Sequence, residues 1–198
     1  MLRLMTFVPA EIRKGNNNES INHLLYCVRY LGNIRNNYII TLRRKERYMK
    51  VAGILPCSFV NGEGSRYVVF VQGCRHGCRG CQNPETWDID GGIEMSASDI
   101  AADFRKHRLL DGITLSGGDP FYQQEACIEL LNLLPDVNVW IYTGFEYEEI
   151  CDTPLAKRAD VLVVGKYVKE LKCENEMYGS SNQRIIRKER QWITQEKS

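Results

Sequence analysis

Residues 67–81 have the sequence YVVFVQGCRHGCRGC, in which an apolar run leads into three cysteines spaced C-x-x-x-C-x-x-C. A continuous apolar run of this kind is typical of a strand that is buried on both faces of a sheet. The cysteine loop therefore begins at the carboxyl end of a strand, where α/β folds place their functional sites. Three thiolates on one short loop can hold three corners of a [4Fe-4S] cube, which leaves one iron open to a small molecule.

The predicted metal ligands are Cys74, Cys78 and Cys81, and the residues between them narrow the type of site. Two intervening arginines favour the thiolate form of the cysteines. Zinc would need a fourth ligand, and the nearest candidate is His76, which lies between two of the cysteines. The sequence has no second C-x-x-C and no H-x-x-H, so an iron–sulfur cluster is favoured over zinc. Disulfides are disfavoured because the N-terminus shows no secretion signal.

Five further cysteines are scattered along the chain rather than clustered. Cys127 and Cys151 fall in predicted helices and are interpreted as small core residues. Cys57 and Cys173 fall in predicted loops and receive no role, and Cys27 lies in the N-terminal part of the chain. None of the five is predicted to bind the metal.

Composition and charge limit the classes of protein to which the chain can belong. The chain has 198 residues, 43% of them apolar and 26% charged, which is typical of a globular protein. No apolar run reaches the roughly 20 residues that would span a bilayer, so we expect a cytoplasmic protein that does not enter a membrane. Residues 1–48 carry nine Lys/Arg and three Asp/Glu, whereas the remainder carries 17 and 22. The mildly acidic charge of the remainder argues against extensive nucleic-acid binding by that part.

The change in composition also predicts the domain organisation. Residues 1–48 are interpreted as a basic, weakly ordered N-terminal extension, with a basic patch for an acidic partner as the alternative. Residues 49–198 are predicted to form the functional domain. Within it, short apolar runs at 51–56, 67–71, 112–115, 137–142 and 161–164 indicate strands. Helical spacing at 98–108, 122–134 and 146–158 indicates helices, the first with Ser98 as its N-cap.

Alternation of buried strands and helices predicts an α/β fold with a mostly parallel sheet. Four or five strand–helix units are too few to close an eight-stranded barrel, so we expect an open partial (βα) barrel.

A second motif follows the next predicted strand, where residues 116–120 read SGGDP. Gly117 and Gly118 can expose main-chain groups to a ligand, and the Asp119 carboxylate can accept hydrogen bonds from an ammonium group. The same residues also make an ordinary turn before a helix, in which Pro120 occupies the first helical position. Thr143, at the end of the strand after that, is a weaker candidate contact of the same kind. A polar loop at 179–184 either lines a substrate entrance or faces solvent.

These motifs together resemble the radical S-adenosylmethionine superfamily, and within it the branch that activates anaerobic ribonucleoside-triphosphate reductases. Four stretches carry the resemblance: VNGEGSR at 60–66, GCQNPETW at 80–87, LSGGDP at 115–120 and GSSNQR at 179–184. They run through nearly all of the predicted functional domain. Gly80 stands where the broader superfamily often has an aromatic residue, and Asp119 stands where it often has glutamate.

The resemblance implies an oxidoreductase with one [4Fe-4S] cluster held by three cysteines and with S-adenosylmethionine on the open iron. Reductive cleavage of S-adenosylmethionine would then give a 5′-deoxyadenosyl radical that takes hydrogen from a glycine of the partner reductase. A low-potential electron donor such as flavodoxin would supply the electron. The implied cofactor contacts are Gly80, Cys81, Gln82, Gly117, Gly118, Asp119 and Thr143.

Two alternatives stay open at this point. The chain could activate another glycyl-radical enzyme, such as one of the pyruvate formate-lyase type. It could also be a metal-binding module without catalysis, although the SGGDP motif argues against that reading.

Overall fold

The structure is a computed structural model that describes residues 47–174 and 177–188. The predicted extension, residues 1–48, lies outside this part except for its last two residues, and the domain boundary stays a prediction. The strands are β1 (Tyr48–Ser58), β2 (Arg66–Val71), β3 (Ile93–Ser96), β4 (Gly112–Gly117), β5 (Asn138–Tyr142), β6 (Val161–Val164) and β7 (Arg184–Arg187). The α-helices are α1 (Ala97–Phe104), α2 (Gln124–Asn132), α3 (Tyr147–Ile150) and α4 (Pro154–Arg158).

All seven strands form one sheet in the order β3-β1-β2-β4-β5-β6-β7. The central strands β2, β4, β5 and β6 are parallel, whereas β1, β3 and β7 pair in antiparallel fashion at the two sides. The prediction of an α/β fold is confirmed, and the predicted mostly parallel pairing holds for the central strands but not for the strands on either side of them. Closure of this sheet into a partial barrel stays a prediction.

The main core lies between the sheet and its helices. Helix α1 packs on α2, and α2 packs on α4. Their buried side chains, such as Ile100, Leu130 and Leu155, meet the apolar side chains of the central strands. A smaller cluster on Trp140, with Val161 and Val163, forms separately from this core. The parallel strands are apolar on both faces, as expected for strands that are buried on both sides. Because they are adjacent and run in the same direction, their carboxyl ends meet at one edge of the sheet.

Several predicted boundaries differ from the structure. The N-cap of α1 is Ser96, whose Oγ accepts a hydrogen bond from the Asp99 N–H at 3.0 Å, so the assignment of Ser98 was wrong. The helix predicted at 122–134 begins as a 3-10 helix, Pro120–Gln123, before α2. The helix predicted at 146–158 is two short helices, because Pro154 has no N–H to continue the first one. Strands β3 and β7 were not predicted.

Arg66 joins the beginnings of three parallel strands although its side chain is almost fully buried. Its guanidinium donates hydrogen bonds to Ile113 O at 2.6 Å, Asn138 O at 3.0 Å, Asn138 Oδ1 at 2.9 Å and Thr114 Oγ1 at 3.2 Å. The guanidinium carbon also lies 5.9 Å from the ring centroid of Trp140. Burial lowers the pKa of Arg66 to about 10. Hydrogen bonds to main-chain carbonyls thus offset part of the cost of burying this charge.

The part of the chain described by the structure contains no helix that is both long and apolar enough to cross a bilayer.

Replacing Arg66 by alanine (Arg66→Ala) should lower the free energy of unfolding by about 3 kcal/mol, because buried carbonyls of β4 and β5 lose charged donors. Urea denaturation followed by circular dichroism would measure the loss. Arg108→Ala is the matched control, since Arg108 is exposed and its removal should change the free energy by less than about 0.5 kcal/mol. Equal effects of the two substitutions would show that Arg66 does not hold the strand ends.

Candidate functional site

The cysteine loop leaves the carboxyl end of β2 and is closed at its base by main-chain hydrogen bonds. The Gly73 N–H donates to Thr86 O at 2.7 Å, and the Cys74 N–H donates to Trp87 O at 3.2 Å. Inside the loop, the Cys81 N–H donates to Cys78 O at 3.1 Å. The three predicted ligands therefore lie on one short, closed turn at the edge where the parallel strands end.

The sulfur atoms of this loop are chemically available. All seven cysteines in the described residues are free thiols, and Cys74, Cys78 and Cys81 are half-buried. Burial raises the pKa of the Cys74 thiol to about 11, which opposes the thiolate form that the neighbouring arginines were expected to favour. The Asn83 N–H donates to Cys81 Sγ at 3.4 Å. Three free thiols and an N–H···S hydrogen bond form a donor set that suits an iron–sulfur cluster.

No three His, Cys, Asp or Glu side chains in the described part of the chain are arranged to hold a single metal ion. A cubane presents its irons at separate corners, so its thiolate ligands do not have to converge on one point.

Gly80 is followed by a cysteine and has a positive φ of 74°. A Cβ at this position would lie 2.7 Å from Cδ of Lys169. Lys169 is exposed, so its side chain can move away from this position. The positive φ, which residues with a side chain rarely adopt, is the physical reason for the glycine before the third cysteine.

The SGGDP loop packs directly on the start of the cysteine loop. The Gly118 N–H donates to Val71 O at 2.7 Å, and the Asp119 N–H donates to Gly73 O at 3.0 Å. A Cβ on Gly118 would lie 2.4 Å from Gly73 O, which is closer than any relaxed contact. The second glycine is therefore required by the close approach of two main chains.

Asp119 is completely buried and serves as the N-cap of the 3-10 helix that follows. Its Oδ1 accepts a hydrogen bond from the Phe121 N–H at 3.0 Å. Its Oδ2 accepts from His76 Nε2 at 2.6 Å, Thr143 Oγ1 at 2.8 Å and the Gly144 N–H at 2.9 Å. Both carboxylate oxygens thus have protein donors, three on Oδ2 and one on Oδ1. The structure thus joins two predicted site residues, Asp119 and Thr143, with His76 in one cluster.

A cavity of about 400 Å³ opens beside the cysteine loop. The residues Phe70, Ser116 and Tyr142, which end or nearly end β2, β4 and β5, line it. Of the predicted cofactor contacts, Cys81 and Gln82 line the same cavity. Gly80, Gly117, Gly118, Asp119 and Thr143 are not among its lining residues, and their predicted contacts with a cofactor stay predictions.

The polar loop at 179–184 forms part of the wall of this cavity and is hydrogen-bonded to the segment after β6. Gln183 Oε1 accepts from the Gly179 N–H at 2.8 Å, and Gln183 Nε2 donates to Gly165 O at 2.9 Å. Asn182 Nδ2 donates to Lys166 O at 2.8 Å, and the buried Ser180 Oγ accepts from the Val168 N–H at 3.1 Å. These side chains bind main chain on the segment after β6. Gly179 and Gln183 themselves line the cavity.

The sequence did not indicate four other residues in the cavity wall. They are Tyr142, Tyr167, Met177 and Tyr178. Their aromatic or flexible apolar character supplies stacking and packing surface for a bound molecule. No local pattern could have identified them, because they come from different segments that only the folded chain brings together.

Comparisons with known proteins agree on the type of domain. Residues 60–186 match the family described as "4Fe-4S single cluster domain". The chain is similar to the anaerobic ribonucleoside-triphosphate reductase-activating protein of Enterobacteria phage T4, with 39% identity over 67% of this chain and 90% of that protein. It is similar to the protein of the same name from Vibrio cholerae, with 37% identity over 67% of this chain and 94% of that one.

The relative of that name from Escherichia coli K12 is 35% identical over 65% of this chain and 92% of its own length. Among solved structures, QueE from Escherichia coli covers 49% of this chain and 52% of its own, with a TM-score of 0.37 and 17% identity. A structural likeness of that extent assigns neither a fold nor a function to this chain.

Gly118→Ala should lower the free energy of unfolding by about 2 kcal/mol or more, because the new Cβ would clash with the Gly73 main chain. The same substitution should reduce the iron retained after reconstitution, because the base of the cysteine loop must move. Gly53→Ala is the matched control, since nothing lies within 4 Å of a Cβ built there. Denaturation and iron analysis of both variants check the prediction, and an unchanged Gly118→Ala protein would contradict it.

Proposed function

The chain belongs to the family of anaerobic ribonucleoside-triphosphate reductase-activating proteins, and we propose that it activates its reductase by reductive cleavage of S-adenosylmethionine. When bound, a [4Fe-4S] cluster with one open iron would supply an electron to the sulfonium, giving methionine and a 5′-deoxyadenosyl radical that takes hydrogen from a glycine Cα of the reductase. The protein would then belong to the radical S-adenosylmethionine oxidoreductases.

The observation that carries this proposal is the direct junction between the two loops. Main-chain hydrogen bonds from Gly118 to Val71 and from Asp119 to Gly73 fix the SGGDP loop against the base of the cysteine loop. A molecule bound to an open iron at the cysteine loop would therefore reach the SGGDP loop without any rearrangement of the main chain. The cavity beside Cys81 leaves room for the rest of such a molecule.

Each chain segment has a defined part in this proposal. Cys74, Cys78 and Cys81 would hold three irons through their thiolates. Gly117 and Gly118 would present main-chain groups to the amino end of the methionine. Asp119 already has four protein donors, which favours a contribution through the loop it fixes.

Other parts of the site would receive the rest of the cofactor. We propose that main-chain groups near Gly80 and Gln82 approach the adenine, and that Thr143 contributes through its bond to Asp119. The aromatic side chains of the cavity, Tyr142, Tyr167 and Tyr178, would exclude water from the reacting atoms.

Further parts of the proposal concern partners and architecture. The reductase is the partner, and a low-potential donor such as flavodoxin would supply the electron, without involvement of nucleic acid. An open partial barrel, formed by residues 49–198, would give a peptide loop of the reductase access to the site.

The proposal is tested by anaerobic reconstitution with iron and sulfide, reduction, and addition of S-adenosylmethionine. We expect 5′-deoxyadenosine as a product and a change in the electron paramagnetic resonance spectrum of the cluster. With the anaerobic ribonucleotide reductase present, a glycyl radical should form on that protein, and pyruvate formate-lyase is the control partner. A reduced, iron-loaded protein that forms no 5′-deoxyadenosine would refute the proposal.

Each of the single substitutions Cys74→Ala, Cys78→Ala and Cys81→Ala should abolish the cluster, because the two remaining thiolates cannot hold it in place. The reconstituted wild-type protein should contain about four iron atoms per chain. Cys127→Ala and Cys151→Ala are the controls and should retain this iron content, since neither thiol lies on the cysteine loop. Iron and sulfide analysis checks the set, and loss of iron in a control would mean that the ligands were wrongly assigned.

A further inference from the structure

His76 lies between two predicted cluster ligands but directs its side chain to a different loop. Its ring is 7% exposed, and its Nε2–H donates to Asp119 Oδ2 at 2.6 Å. The sequence suggested one role for this residue, that of a fourth ligand to zinc. That role does not use the contact that the structure shows.

The carboxylate that His76 contacts is shared by loops that are far apart in sequence. Its Oδ2 also accepts hydrogen bonds from Thr143 Oγ1 and the Gly144 N–H, and its Oδ1 accepts from the Phe121 N–H. Because Asp119 is fully buried, its partners cannot be replaced by water without opening the site. His76 therefore supplies the link from the middle of the cysteine loop to the loops after β4 and β5.

The His76 ring packs against a glycine main chain and two aromatic rings. A Cβ on Gly144 would lie 2.5 Å from the ring Cδ2, so the ring rests directly on the main chain of that glycine. The Phe145 ring meets it edge-on with centroids 4.7 Å apart, and the Tyr122 ring lies 5.7 Å away. A side chain held on all these sides transmits a displacement rather than absorbing it.

We propose that His76 is a positioning residue that, through Asp119, locks the cysteine loop to the loops after β4 and β5 in one fixed arrangement. The inference rests on the proposed function, since those two loops are where the cofactor would be held. His76 would contact neither the cluster nor the cofactor. Its loss would leave the three thiols in place but release the surfaces that must face them.

The first test uses hydrogen exchange of the cluster-free protein and needs no activity. In His76→Ala, amides of residues 117–119 and 143–145 should exchange about tenfold faster, because a buried hydrogen bond to a carboxylate is lost. His76→Gln retains an amide N–H near the position of Nε2 and should restore protection to within about threefold. His107→Ala is the matched control, since the Nε2 of that histidine pairs with Asp103 at 3.8 Å.

The second test titrates the reconstituted, reduced proteins with S-adenosylmethionine and follows the cluster by electron paramagnetic resonance. Iron content should match the wild type in all variants. The apparent Kd for S-adenosylmethionine should rise about tenfold in His76→Ala and return towards the wild-type value in His76→Gln. His107→Ala should leave it unchanged.

The outcomes separate the positioning role from the proposed function. Faster exchange confined to residues 74–81, or equal exchange in His76→Ala and His107→Ala, would overturn the positioning role. Failure of glutamine to restore protection would also overturn it. If wild-type clusters show no response to S-adenosylmethionine, the proposed function fails, whereas the exchange experiment still decides whether His76 links the loops.

Discussion

The carboxylate of Asp119 is the interaction on which the arrangement at the strand ends depends. It is fully buried, and its four donors come from the cysteine loop, from its own helical turn and from the turn after β5. A buried carboxylate is costly unless it is hydrogen-bonded, so these segments stabilise one another through it. Main-chain hydrogen bonds from Gly118 to Val71 and from Asp119 to Gly73 reinforce the junction at the base of the cysteine loop. The chemistry proposed for the site needs this rigidity, because a cluster and its ligand must be held by separate loops at a fixed distance.

The parallel sheet makes this junction feasible by placing loops from distant parts of the sequence side by side. Strands β2, β4 and β5 are adjacent and run in the same direction, so their following loops share one edge. At the opposite ends of the same strands, the buried Arg66 holds Ile113, Thr114 and Asn138. The three strands are therefore tied together at both ends, by a buried cation at one and a buried anion at the other.

Sequence reasoning identified the features that are local and missed those that are not. Three features each depend on a few consecutive residues: the cysteine spacing, the SGGDP motif and the buried central strands. The strands were enough to predict the fold class. Strand β3 has no clear sequence signal because residues 93–96 are few and partly exposed. The predicted helix at 146–158 is too long because Pro154 begins a second short helix. The contact between His76 and Asp119 spans 43 residues. Only the register of β2 against β4 brings the two together, and no pattern in either segment reveals that register.

The way in which the polar loop at 179–184 binds the segment after β6 has a consequence for how such a protein changes over evolutionary time. Gln183, Asn182 and Ser180 bind the segment after β6 through its main-chain groups. Tyr167, within that segment, lines the cavity, and none of these hydrogen bonds uses its side chain. Selection for a new target could therefore act on one surface while the architecture of the site is inherited intact.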